Sequence, residues 1–409
     1  MSRLSDAVSG VAPASWLLSL VWLAFAVSSI VFIEPAPYDI LVLLLIAMLF
    51  PMGLRVPREI AVAVFLLMLF TAANLAAAVT SSDPESMLRP LSIRIYMVLA
   101  WILWVSLVVT DAPHFLRVIW RGYSFAAFLA VLWGILQYFG YLSESLGTAY
   151  GRARGPFKDA NVFAPFLVPV ILYMLARMLR MRGLPLVLES IKFLPLVFGL
   201  LLGFSRGAWL NFSVAFVLYM IFSTVTAQSL RERLRLTILI TAVGIMALSA
   251  LSLVIAFTPA GQRFVERATI VQEYDLARGG RFDTQAKALR EIGQNPIGIG
   301  PGMSTPKFGM EPHNLYLHTA VEGGWVGGIS FYLFLIITLA RAISRVNSHS
   351  ILRPNLQIVL AALIGTLVQS LFIDSTHWRH LWLLLALAWA ITVAIDRDMT
   401  RDEHANYVK

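Results

Sequence analysis

Apolar residues in this chain run in unbroken blocks instead of alternating with polar ones, and each block approaches the ~20 residues that a helix needs to cross a hydrocarbon core. The blocks fall at 15–33, 38–54, 60–79, 91–110, 123–142, 161–178, 186–203, 207–224, 236–258, 317–340, 356–373 and 381–395. They predict an all-α polytopic membrane protein with about twelve spans. Spans one to nine occupy residues 1–258, a large polar insertion 259–316, spans ten to twelve 317–395, and a short tail 396–409. The first block is too long for a typical signal-peptide core, has no small-residue cleavage site and is followed at once by a second block, so it reads as a span that stays in the chain.

The insertion at 259–316 exceeds the roughly 12–15 residues beyond which structureless loops become uncommon, so it must hold elements of its own. Phe282, Ala286, Leu289 and Gly293 recur at helical spacing with Arg281, Lys287 and Arg290 around them. That pattern predicts an amphipathic helix ending near Gly293, lying on the membrane surface. Asn295-Pro296 followed by Gly298, Gly300 and Gly302 predicts a tight, bendable connection.

With 58% apolar and 13% charged residues and a mean hydropathy of +0.76, an ordinary soluble globule is excluded. Orientation follows from Lys and Arg in the short connections. Arg55 and Arg58, Arg117 and Arg121, Arg177 with Arg180 and Arg182, Arg231 with Arg233 and Arg235, Arg341 with Arg345 and Arg353, and the tail all fall on alternate connections. These are expected on the cytoplasmic side, with both termini inside. The opposite connections carry Glu34, Asp39, Asp83 and Glu85, yet also Arg152, Arg154, Lys158, Arg206, Arg263, Arg267, Arg278, Arg281, Lys287 and Arg290. The topology rule does not require cations there. The net charge of +9 matches cytoplasmic arginines facing anionic headgroups, and no nucleic-acid module accompanies it. Zero cysteine excludes disulfides and thiolate catalysis.

A single outer cation is as often a headgroup contact as a ligand contact. As a set they say more. Arg152, Arg154 and Lys158 are interleaved with glycines and lead into a helix start at Asn161, and Ser205-Arg206-Gly207 repeats the arrangement. Helix N-termini with Arg forks favour phosphate. His313, in Pro312-His313-Asn314, is then placed to serve as a general base toward a hydroxyl beside that phosphate, although a lone His is more often structural. Asn314 can orient it or the substrate. Glu322 reads as a carboxylate near a helix start.

Asp374, His377 and His380 could join His313 and His318 as metal ligands, but the spacing fits no closed zinc pattern and favours a polar turn. The three glycines have no preceding strand and no Walker lysine, which argues against a nucleotide loop. Asp396-Arg397-Asp398 resembles a paired-aspartate metal motif but falls on the cytoplasmic tail. Arg94 and Gln369 are expected to pair between helices.

Ser205-Arg206-Gly207, Gly280-Arg281 before an amphipathic helix, Asn295-Pro296-Ile297-Gly298-Ile299-Gly300, and His313-Asn314 followed by Leu317 and Glu322-Gly323-Gly324 resemble the pattern of the bacterial O-antigen ligase family, which also holds O-antigen polymerases. The resemblance covers about the second half of the chain and, through Gly155-Pro156-Phe157 and Asn161, the fifth connection. It implies an inner-membrane glycosyltransferase that moves O-antigen from undecaprenyl diphosphate to a sugar hydroxyl of lipid A-core at the periplasmic face, without metal or cofactor. The site residues expected on that basis are His313, Arg206 and Arg281 for catalysis, with Arg152, Arg154, Lys158, Arg267, Arg290, Asn314 and Glu322 binding substrate. A polymerase using a lipid-linked acceptor, and a transporter of lipid-linked glycan, are the competing readings.

Overall fold

The computed structural model describes residues 14–79, 84–142, 151–227, 229–238 and 279–407, with positions 241 and 244. Among these residues the chain is all helix and turn, with no β-strand. In chain order the helices are α1 (Ser15–Ala26), α2 (Pro37–Leu49), α3 (Ala61–Val79, entered through a 3-10 turn), α4 (Pro84–Thr110), α5 (Ala112–Tyr138), α6 (Ala160–Met178), α7 (Leu184–Leu202) and α8 (Arg206–Val225). After the insertion begins come α9 (Arg281–Gln294), α10 (Ser304–Phe308), α11 (Leu315–Arg345), α12 (Arg353–Gln369) and α13 (Arg379–Tyr407). Eleven of the expected apolar blocks thus lie on helices, eight of them long and apolar enough to cross a membrane. Most of the block at 236–258, and with it Arg263, Arg267 and Arg278, lies outside the described residues.

Packing sorts the helices into centre and rim. The apolar window of α13 is 89% buried, against 28% for α7 and for α8. The last helix is therefore the axis of the bundle, packed against α4, α12 and α11, while α7 and α8 present apolar side chains outward. Outward apolar surface is what lipid solvates, so burial here is not the measure of a core that it would be in water.

The charged and amide side chains deepest in the bundle find partners on neighbouring helices, as a medium without water favours. Arg94 of α4 donates to Asn74 of α3 and to Glu322 of α11. Asn211 of α8 donates to Gln369 of α12 at 2.9 Å. Both inter-helix pairings expected for Arg94 and Gln369 are present. At one end of the bundle Asp396 accepts from Arg341 at 2.9 Å and Arg345 at 2.6 Å, and Arg397 pairs with Glu59. The Asp396-Arg397-Asp398 segment is thereby tied into ion pairs that fasten helix ends.

Two expectations about the insertion change. The helix α9 forms over the expected residues, but Phe282, Ala286, Leu289 and Gly293 face outward, while Thr284, Ala288 and Glu291 are buried on its packing side. Small and hydrogen-bonding residues permit the close approach to α11 that bulky apolar ones would prevent. The glycine run is neither a free hinge nor a surface loop. It docks into a break in α11 at Gly324, where φ is 66°. The Ile299 and Gly300 amides donate to the Val321 and Glu322 carbonyls at 2.9 and 3.0 Å, and Trp325 N donates to the Pro296 carbonyl at 2.9 Å. A helix break in this setting exposes carbonyls that need partners, and the segment supplies them. A Cβ on Gly298 would stand 2.4 Å from Gly324 N, so the contact requires glycine.

Candidate functional site

Four connections converge on a cleft of about 320 Å³. Glu34 enters from the α1–α2 connection, Lys158 and Asp159 from the segment before α6, Glu311 and His313 from the segment before α11, and Asp374 with His377 from the α12–α13 turn. Phe25, Tyr38, Tyr123 and Phe166 make the apolar floor. The size is that of a small-ligand site, and a few polar groups converging on aromatic walls is the usual composition of one.

His313 stands at this cleft, half-buried, with a left-handed backbone at φ 46° that a non-glycine residue seldom adopts. The turn is held from both sides. Gln285 of α9 donates to the Pro312 carbonyl at 3.1 Å, and Leu315 N donates to the Ser370 carbonyl at 2.9 Å. Asn314 is the N-cap of α11, its Oδ1 accepting from Tyr316 N and Leu317 N at 3.0 Å each, and its amide donates to the Leu371 carbonyl at 3.1 Å. Its side chain is therefore spent on the backbone that positions His313. Burial pushes the His313 imidazole below its ordinary pKa and the Arg281 guanidinium pushes the same way, while Glu311, Asp374 and Asp159 pull it up. The net effect favours the neutral ring, the form that can accept a proton.

The expected cations divide into groups. Lys158 lines the cleft and pairs with Glu34, which also pairs with Arg89. Arg281 opens α9 behind the His313 turn, close enough to act on the imidazole. Arg152 donates to the Gly203 carbonyl at 2.9 Å and to Asn161 Oδ1 at 2.7 Å, and Ser205 Oγ donates to that same Oδ1 at 2.9 Å. This braces the fifth connection against the start of α8, where Arg206 is the first helical residue and Ser205 the cap. Arg154, beside it, has no side-chain hydrogen bond or ion pair among the described residues. The two groups meet through α6, because Asp159, which caps it, lines the cleft, and Asn161 belongs to the Arg152 cluster. Arg290 lies about 13 Å from Arg281 along the axis of α9 at 1.5 Å per residue, and is exposed.

Glu322 sits elsewhere. It is a buried carboxylate within α11, accepting from Gly302 N at 2.9 Å, Ser304 N at 3.2 Å and Ser304 Oγ at 2.7 Å, and pairing with Arg94 and with His318 Nε2 at 3.0 Å. Five protein donors occupy it. His318 also faces Asp374 through Nδ1 at 3.5 Å. Burial opposes the charge on Asp374, but His318, His377 and the Thr376 N–H outweigh it and hold the carboxyl well below its usual range.

Spacing along the chain misses one grouping that the fold creates. Glu311, His318 and Asp374 each place a ligand atom within 4.8 Å of the others, the geometry a metal ion could use. Ion pairing accounts for the closeness of His318 and Asp374, and Glu311 stands beside that pair without an ion pair of its own among the described residues. The Asp374–His380 turn, a polar turn by its sequence, sends five of its residues, Asp374, His377, Trp378, Arg379 and His380, to the cleft wall.

Residues 191–332 match a family model described as O-antigen ligase. The matched stretch contains Arg206, Arg281, His313, Asn314 and Glu322, and leaves Arg152, Arg154, Lys158 and the Asp374–His380 turn outside it. No curated protein matches the chain. Over residues 191–332, where the Arg206 helix start, the Arg281 helix and the His313 turn all lie, this chain is similar to the O-antigen ligases.

Proposed function

We propose that this protein is an O-antigen ligase of the bacterial inner membrane, transferring glycan from undecaprenyl diphosphate to a sugar hydroxyl of lipid A-core at a periplasmic site. The observation that carries the reading is His313: a half-buried imidazole fixed at a cleft, pushed toward its neutral form by burial and Arg281 against the opposing pull of Glu311, Asp374 and Asp159. His313 takes the proton of the acceptor hydroxyl as that oxygen bonds to the anomeric carbon. The bond from that carbon to the phosphate oxygen breaks, and its electron pair leaves with undecaprenyl diphosphate. Arg281 and Arg206, with Arg154 and Arg152 beside Arg206, offset the charge growing on the leaving group. Asn314 holds the turn, and Glu322 fixes α11 beneath it. Arg290 supplies a further cation toward the donor, and Arg267, outside the described residues, keeps the donor-binding role that the resemblance implies.

One displacement inverts the anomeric centre. Purified protein supplied with lipid-linked donor and lipid A-core is expected to give inverted product at an unchanged rate in chelator. Retained configuration would require a covalent intermediate in place of this mechanism. Loss of transfer in chelator would point to an ion at Glu311, His318 and Asp374. Elongation of the lipid-linked glycan with no transfer to lipid A-core would make the protein a polymerase, and binding of the donor with no product would make it a transporter.

A further inference from the structure

We propose that the cleft beneath His313 is the acceptor subsite, built for the hydroxyls of a sugar and closed to phosphate, and that His380 Nε2 binds one of those hydroxyls. The inference rests on the transfer reading above and adds which substrate enters which space.

Charge decides against phosphate in the cleft. Glu34, Asp159, Glu311 and Asp374 line it, against the cations Lys158 and Arg379. Both cations are already paired, Lys158 with Glu34 and Arg379 with Asp39 through two bonds of 2.6 and 2.5 Å. Glu34 and Asp374 have ion-pair partners of their own, so a diphosphate entering here would meet the carboxylates of Asp159 and Glu311 and no spare cation. Hydroxyls would not be repelled, because carboxylates accept hydrogen bonds and sugar hydroxyls donate them. The aromatic floor suits the C–H face of a pyranose.

His380 gives a second, independent pointer to a ligand. Its side chain lines the cleft and is only 4% exposed, yet Nε2 has no hydrogen-bond partner among the described residues. Phe166 meets the ring edge-on at 6.1 Å and Trp378 lies against it at 5.0 Å, so the ring is held in place without being satisfied. Several buried polar atoms in the bundle lack a hydrogen-bond partner among the described residues, but this one belongs to a ring that lines the cleft, where a ligand can supply it. A hydroxyl, which both donates and accepts, completes either tautomer. His313 then stands on the boundary between the two substrates, with Arg281 toward the diphosphate and the carboxylates toward the acceptor.

The test uses full-length protein in lipid nanodiscs with lipid-linked O-antigen and lipid A-core. His380→Phe is expected to raise the acceptor KM about tenfold, the loss of one hydrogen bond, with the donor KM unchanged. His380→Gln, whose amide reaches the position of Nε2, is expected to restore most of it. Inorganic pyrophosphate should compete with the donor and not with the acceptor of the wild-type protein, a measurement that needs no variant to fold. An acceptor KM unchanged in the variants, a rise in the donor KM instead, or pyrophosphate competing with the acceptor would each overturn the assignment while leaving transfer intact. A wild-type protein that makes no glycan-bearing product would end the transfer reading and this assignment with it.

Discussion

His313 and His318 stand on one short segment and meet opposite environments. His318 is 5% exposed, with Glu322 at 3.0 Å from one ring nitrogen and Asp374 at 3.5 Å from the other. Arg94 then balances Glu322, and Asn74 anchors Arg94. His313 has a left-handed backbone, an open cleft before it and no hydrogen bond from its ring among the described residues. Ionisable residues in a membrane protein invite a functional reading, and here the more deeply buried set is the structural one. Completed pairing removes a group from chemistry, whereas an imidazole left incomplete beside a cavity keeps a proton site free for substrate.

Replacing His313 with Ala should give the largest effect and divides the two roles most cleanly. Transfer is expected to fall by about 10²–10⁴-fold, the usual contribution of a positioned base, with the donor KM and the thermal midpoint in detergent unchanged. Full transfer in that variant would remove His313 from the reaction and erase the contrast with His318. Glu322→Gln should behave in reverse. It leaves Arg94 without a buried counter-charge and His318 with Asp374 alone, which is expected to cost about 3–5 kcal/mol of stability and to lower the thermal midpoint and the folded yield. Protein that does fold should retain donor and acceptor KM values near those of the wild type. A normal midpoint with a raised acceptor KM would move Glu322 from scaffold to substrate contact.

The chain pattern shows the first side of this contrast and hides the second. Apolar blocks reveal the spans because lipid requires long uninterrupted stretches, and the Arg281–Gln294 helix is legible from its period. Which face of that helix packs is not legible. Its apolar positions meet the outside, and Thr284, Ala288 and Glu291 meet the bundle, because the outside here is itself apolar. His313 stands out by its neighbours in sequence. Asp374 and His380 do not, since their meaning comes from sharing a cleft with Glu34 and Asp159, which are more than two hundred residues away along the chain. The glycine run is visible as a pattern, but only the break at Gly324 explains why it needs glycine.

The pH profile sharpens the comparison by the smallest amount and tests the environment of His313 directly. The acid limb of kcat/KM reports the free enzyme's base, which must be neutral to act, so activity falls as pH drops through its pKa. Burial and Arg281 together place that limb below the ordinary histidine value of about 6.5. Arg281→Gln removes a cation that disfavours the imidazolium, so the limb should rise. Asp159→Asn removes a carboxylate that favours it, so the limb should fall by less. Asn caps a helix as well as Asp does, which leaves α6 in place. Arg281→Gln also weakens donor use, so the midpoint of the limb is the quantity to read and its height is not. Opposite shifts in the two variants identify the titrating base as a group lying between a cation and a carboxylate, as His313 does. A limb unmoved in both would mean that another group carries the proton.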